Sequence, residues 1–137
     1  MSLFVDSSAF YAMADGDDVA NKRAREIVSV DESLVTSDHV LIETWLLLNR
    51  KLGRLAANNF WSGLRGGIAT IELITLGDLE AAWEIVTSFN DQDFSIVDCT
   101  SFALMNRLGI TRVASFDDDF AVYRFGRGRK RAFEIVR

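Results

Sequence analysis

Four short apolar or β-branched runs, Leu3–Val5, Ser33–Thr36, Thr70–Ile74 and Arg112–Ser115, are separated from one another by stretches of helical periodicity. Runs this short suit buried strands and are too short for helices. Strands that alternate with helical crossovers pair in parallel, and a parallel sheet needs helices over both faces. The expected class is therefore α/β: a three-layer α/β/α sandwich around a mainly parallel central sheet of four to five strands. Ala132–Val136 is the candidate for the fifth strand, at an edge. Helices are expected over Ala9–Met13, Val19–Val30, Asp38–Leu52, Leu55–Leu64, Gly77–Phe89 and Ser95–Leu108, and a short one opens at Phe116–Phe120. The length of 137 residues, without a linker, repeat or low-complexity tract, predicts one domain over residues 1–137.

Several function classes drop out early. No apolar run approaches the roughly 18 residues that span a bilayer, and the N-terminus lacks the pattern of a signal peptide. The single Cys99 rules out an internal disulfide and fits a reducing, cytoplasmic setting. With one His and one Cys, a structural zinc site lacks ligands, so any metal must be held by oxygen. Asp15-Gly16-Asp17-Asp18 reads as a turn and helix cap, since the later ligand positions of an EF-hand do not follow. The net charge of −5 conceals a basic end: residues 124–137 hold six cations against Glu134 alone, which leaves the first 123 residues at −10. That balance repels a polyanion unless local basic patches and screening cations intervene.

Four acids stand where this architecture converges. Asp6 ends the first strand, Glu43 lies early in the helix after the second, Asp98 opens the helix at residue 95, and Asp117 follows the fourth strand. In open α/β sheets, ligands bind outside the carboxyl ends of the strands. Carboxylates gathered there cannot all stay ionised without a cation, and hard oxygen ligands select Mg²⁺ or Mn²⁺. Each acid also has an ordinary explanation. Asp98 completes a Ser95-x-x-Asp98 capping box, and Asp117-Asp118-Asp119 are favourable charges at a helix start. Glu43, set among Leu41, Ile42, Trp45 and Leu46, is harder to explain that way, because a buried carboxylate needs a partner.

Leu3-Phe4-Val5-Asp6-Ser7-Ser8-Ala9, Glu43, Phe94-Ser95-Ile96-Val97-Asp98-Cys99 and Ala114-Ser115-Phe116-Asp117-Asp118-Asp119-Phe120 resemble the PIN domain, in particular VapC-type toxins of toxin–antitoxin pairs. The likeness extends over essentially the whole chain. It implies a Mg²⁺- or Mn²⁺-dependent endoribonuclease, a homodimer, and a cognate antitoxin bound near the active-site groove. It maps the catalytic and metal-binding acids onto Asp6, Glu43, Asp98 and Asp117, with Asp119 as a further candidate and Ser8 supporting the first Asp. Water activated at the ion would attack the phosphorus in line, leaving 5′-phosphate and 3′-hydroxyl ends. Arg124, Arg127, Arg129, Lys130 and Arg131 are candidates for RNA phosphates, and Arg50, Lys51 and Arg54 form a second basic cluster. Trp45, Leu46, Leu47, Leu48, Phe60 and Trp61 are read either as a groove for the antitoxin or second copy, or as core. Two rival readings stand: a non-catalytic protein- or RNA-binding module with a vestigial acid cluster, and aspartyl phosphoryl transfer. The first strand lacks the Asp-x-Asp pairing of the latter.

Overall fold

A computed structural model describes residues 1–30 and 32–137. In chain order the elements are β1 (Ser2–Val5), α1 (Ser7–Ala14), α2 (Asn21–Ser29), β2 (Ser33–Ser37), α3 (Asp38–Lys51), α4 (Arg54–Arg65) and β3 (Thr70–Glu72). Then come α5 (Leu76–Ser88), α6 (Ile96–Leu108), β4 (Arg112–Ala114), α7 (Asp119–Val122), a 3-10 turn (Arg127–Arg129) and β5 (Glu134–Val136). The five strands form one sheet in the order β3-β2-β1-β4-β5, and every pairing is parallel.

From β1 the chain steps outward through β2 to β3, then crosses back to β4 on the other side and ends at β5. The direction of winding thus reverses between β1 and β4. With right-handed crossovers, α1–α4 cover one face and α5–α7 the other. The packing agrees: α3 lies on α1 and α4, and α6 lies on α5 and α7. A sheet covered on both faces buries the side chains of its central strand on both sides, and Leu3, Phe4 and Val5 are fully buried. α6 is enclosed in the same way, with eight consecutive buried residues from Asp98 to Met105. Its Phe102 stacks on Tyr123 at 4.2 Å and meets Phe120 edge-on at 5.0 Å, which fastens the C-terminal segment to the core.

Local signals explain most boundaries. Ser37, Thr75 and Ser95 accept hydrogen bonds from the first turns of α3, α5 and α6. Gly109 closes α6 in the left-handed region at φ 69°, where a side chain is disfavoured. Other boundaries moved. α2 starts at Asn21 rather than Val19, because the Asp18 carboxylate turns back to the Ala20 N–H. β3 stops at Glu72, because the Ile74 N–H donates to Asp38 rather than to a strand. α7 begins at Asp119, because Ser115 and Asp117 hold the preceding residues in a turn. The reciprocal capping box belongs to Thr75 and Asp78; Ser95 caps α6 on its own.

Candidate metal centre

The reversal between β1 and β4 leaves a crevice at their carboxyl ends, the position where doubly wound sheets bind ligands. Asp6 is the first residue past β1 and is buried, its N–H bonded to the Ala114 carbonyl at 3.1 Å. Its Oδ2 accepts from the hydroxyls of Ser8 at 2.8 Å and Ser115 at 2.9 Å. Each of those hydroxyls in turn accepts a backbone N–H from the β4–α7 turn, Ser8 from Phe116 and Ser115 from Asp117. Asp6 thereby ties the strand end to the loop that carries the next acids.

In that loop the Asp119 N–H donates to Asp117 Oδ1 at 3.0 Å, fixing both carboxylates on one turn. Asp118 turns away and pairs with Arg137 at 3.0 Å, so it leaves the cluster. Asp98 enters from the first turn of α6, with its backbone N–H taken by Ser95 Oγ at 3.0 Å. Carboxylate oxygens of Asp98, Asp117 and Asp119 lie within 4.8 Å of one another. Glu43 comes from α3, on the opposite face of the sheet, and its Oε1 accepts from Ser7 Oγ at 2.7 Å. Ser7 Oγ is also 3.4 Å from Asp6 Oδ1, which links the two carboxylates.

Burial dominates the electrostatics. It pushes the Asp6 carboxyl above its ordinary value against the lowering effect of the Ser8 and Ser115 hydroxyls, and the Asp117 charge adds to the rise. Burial likewise raises Glu43, assisted by the charges of Asp6 and Asp117. Asp98 is pushed up to about 9, first by burial, then by the Asp6 charge and its hydrogen bond with Asp119. Among the described residues, no Lys or Arg forms an ion pair with Asp6, Glu43, Asp98, Asp117 or Asp119. The cluster is short of positive charge, and burial beside like charges favours the protonated form of Asp98. Its donors are all carboxylate oxygen, which fits Mg²⁺ or Mn²⁺ and excludes soft metals.

The structure therefore gathers all five expected acids in one crevice. The closest trio contains Asp119, while Asp6 lies beneath it in a ring of hydroxyls. Two residues of that ring, Ser7 and Ser115, were not singled out in the sequence; the available signal was a hydroxyl beside each strand-end acid. Beyond Glu43, an apolar groove of about 610 Å³ runs along α3, lined by His39, Ile42, Leu46, Leu47, Arg50 and, from α6, Val97. The aromatic and aliphatic residues of this region do not form one face. Leu48 and Phe60 are core, whereas Leu46 and Trp61 are exposed. Lys51 and Arg54 sit over the rings of Tyr11 and Trp45. Of the C-terminal basic residues, Arg131 lies beside Gly109 and Thr111 past the end of α6, Arg129 beside Ala103, Asn106 and Phe89, and Arg137 pairs with Asp118 in the β4–α7 turn.

Residues 3–126 match the sequence profile of the PIN domain. The chain is 36% identical over 124 residues to the 23S rRNA-specific endonuclease VapC20 of two Mycobacterium tuberculosis strains, covering 90% of this chain and 95% of the relative. The crystal structure of M. tuberculosis VapC20, described as a sarcin-ricin loop cleaving toxin, superposes with a TM-score of 0.82 at 35% identity. That match covers 87% of this chain and 92% of the other. A toxin–antitoxin complex from Klebsiella pneumoniae shares the fold at a TM-score of 0.63 and 8% identity, over 85% and 88% of the two chains.

Proposed function

The chain belongs to the PIN-domain family, and on that footing we propose that it is a Mg²⁺- or Mn²⁺-dependent endoribonuclease, the toxin of a toxin–antitoxin pair. The observation that carries the reading is the unneutralised carboxylate cluster at the switch point of the sheet, with Asp98 pushed up to about 9 and no cation among its protein neighbours. A relative 36% identical over nine-tenths of the chain is named an RNA endonuclease, which supports RNA as the substrate class.

Asp98, Asp117 and Asp119 would hold the ion, with Asp6 beneath them and Glu43 at the rim. When bound, the ion supplies a Lewis acid that lowers the pKa of water and neutralises charge on the phosphoryl group. The chain does the rest. Ser8 and Ser115 donate to Asp6 and keep its carboxylate aimed upward, while their lone pairs fix the turn carrying Asp117. Burial, and then the neighbouring carboxylates, raise the pKa of Asp98, and a cation bound here would favour its ionised form. Glu43, half-exposed and held by Ser7, would take a proton from the attacking water.

The groove along α3 offers the antitoxin an apolar track that ends at Glu43, and a second copy of the chain completes the assembly as a homodimer. The chain would act in the cytoplasm as a single domain over residues 1–137, and among the described residues no helix is long and apolar enough to cross a membrane. The test is RNA cleavage in Mg²⁺ by Asp6→Asn and Asp98→Asn. Loss of cleavage with an unchanged circular dichroism spectrum is expected. Cleavage at the wild-type rate by either variant would overturn the assignment of the site.

A further inference from the structure

Arg127, Arg129, Lys130 and Arg131 have no role in the crevice, yet they concentrate much of the positive charge of a chain that is otherwise acidic. They sit on a closed loop. Phe125 and Arg131 exchange two backbone hydrogen bonds, at 2.9 and 3.0 Å, and the Arg129 N–H returns to Gly126 O at 3.0 Å. The loop is also tightly built. Gly126 has φ 76°, and a Cβ there would come within 2.9 Å of the Arg131 side chain. Arg129 holds a left-handed φ of 52°, an uncommon conformation for a residue with a Cβ.

That backbone puts two guanidinium groups over aromatic rings, Arg129 over Phe89 at 4.3 Å and Arg131 over Phe125 at 5.0 Å. A stacked guanidinium keeps its edge N–H groups outward, in the fork that matches a phosphate. Among the described residues, none of the four is paired with a carboxylate. Arg124 is different: its Nη1 donates to the carbonyls of Ala121, Val122 and Tyr123, so it caps α7. Beside Arg129 opens a cleft of about 330 Å³ lined also by Ser88, Asn106, the acidic Glu84 and the buried Tyr123.

Resting on the ribonuclease reading, we propose that the Phe125–Arg131 hairpin is a second RNA-binding site, which grips substrate phosphates at the end of the molecule remote from the acid crevice. Asp98 lies in the first turn of α6 and Arg131 beside Gly109 at its other end, so the base of the hairpin stands about 16 Å from Asp98 along the helix axis. A short RNA cannot touch both, whereas a folded RNA can. The need for such an anchor follows from the charge: the first 123 residues sum to −10, so a polyanion approaching the crevice meets net repulsion outside this hairpin and the Arg50, Lys51 and Arg54 cluster.

The test is the double variant Arg127→Glu/Lys130→Glu, whose side chains make no hydrogen bond or ion pair among the described residues, so the fold is left alone. Two probes are used, purified 23S ribosomal RNA and an RNA tetranucleotide. The plot of log K against log[KCl] for 23S RNA should flatten by about 1.4–1.8 for the two lost cations, and further for the two acids that replace them. KM for 23S RNA should rise at least ~10-fold with kcat unchanged, and tetranucleotide cleavage should not change. An unchanged salt slope and KM for 23S RNA would overturn the proposal. So would an equal loss on the tetranucleotide, or intact RNA binding with lost affinity for an acidic protein partner. The salt slope is read without cleavage, so a failure of the nuclease reading itself, no cleavage of any RNA by wild type, is seen separately.

Discussion

Replacing Asp98 by Asn should stabilise the metal-free protein while removing its response to Mg²⁺. In the folded chain the Asp98 carboxyl is pushed up to about 9, whereas in the unfolded chain it returns to the ordinary range near 3.8. Between those values the folded state binds the extra proton, so stability falls as pH rises, by about 1.4 kcal/mol per pH unit for one proton. The contribution is complete below pH 4 and is progressively lost toward pH 9. From pH 5 to pH 7 this withdraws roughly 3 kcal/mol. Asn carries no titrating proton and its amide can still donate to Asp119, so the variant should escape that loss. Melts in EDTA should therefore show a wild-type Tm that drops between pH 5 and pH 7, and a variant whose drop is smaller by about 10 °C. Adding Mg²⁺ should reverse the order: an ion present at 100 times its Kd restores about 2.7 kcal/mol to the wild type and nothing to the variant. Parallel curves in EDTA, with the same slope for both proteins, would refute the argument that Asp98 stores a proton in place of a cation.

Other consequences are smaller. Ser115→Ala removes one hydroxyl from Asp6 and the acceptor of the Asp117 N–H. Mg²⁺ affinity, measured by calorimetry, should weaken by about 10–100-fold with a loss of stability near 1 kcal/mol. Arg107→Ala leaves Asp78 buried without the guanidinium that binds both its oxygens at 2.9 Å and lowers its pKa. Urea denaturation at pH 7 should report a loss of stability that shrinks as pH falls through the Asp78 pKa and the carboxyl is protonated in the folded state.

The strand runs and their helical intervals were legible in the sequence because burial on both faces leaves a continuous apolar signature, as in Leu3-Phe4-Val5. Asp6, Asp98 and Asp117 were legible because each followed such a run or opened a helix, and Glu43 because it is a carboxylate inside an apolar helix. The winding that brings them together was partly legible, through the alternation that forces parallel pairing; the strand order that puts β1 beside β4 was not, since no local pattern encodes it. Asp119 entered the closest trio through the turn built by Ser115 and Asp117, a tertiary device that propensity does not reveal. The basic tail was visible as charge alone. Its closure into a hairpin at the far end of α6 depends on the pairing of Phe125 with Arg131, which no periodicity announces.

The central claim is that this acid cluster, loaded with a divalent ion, hydrolyses RNA through water. The most direct measurement is the chemistry of the new ends when wild-type protein cuts RNA with Mg²⁺ and with EDTA. The account predicts cleavage only with the ion, leaving 5′-phosphate and 3′-hydroxyl ends. Cleavage in EDTA, or 2′,3′-cyclic phosphate ends made by the RNA's own 2′-hydroxyl, would contradict it.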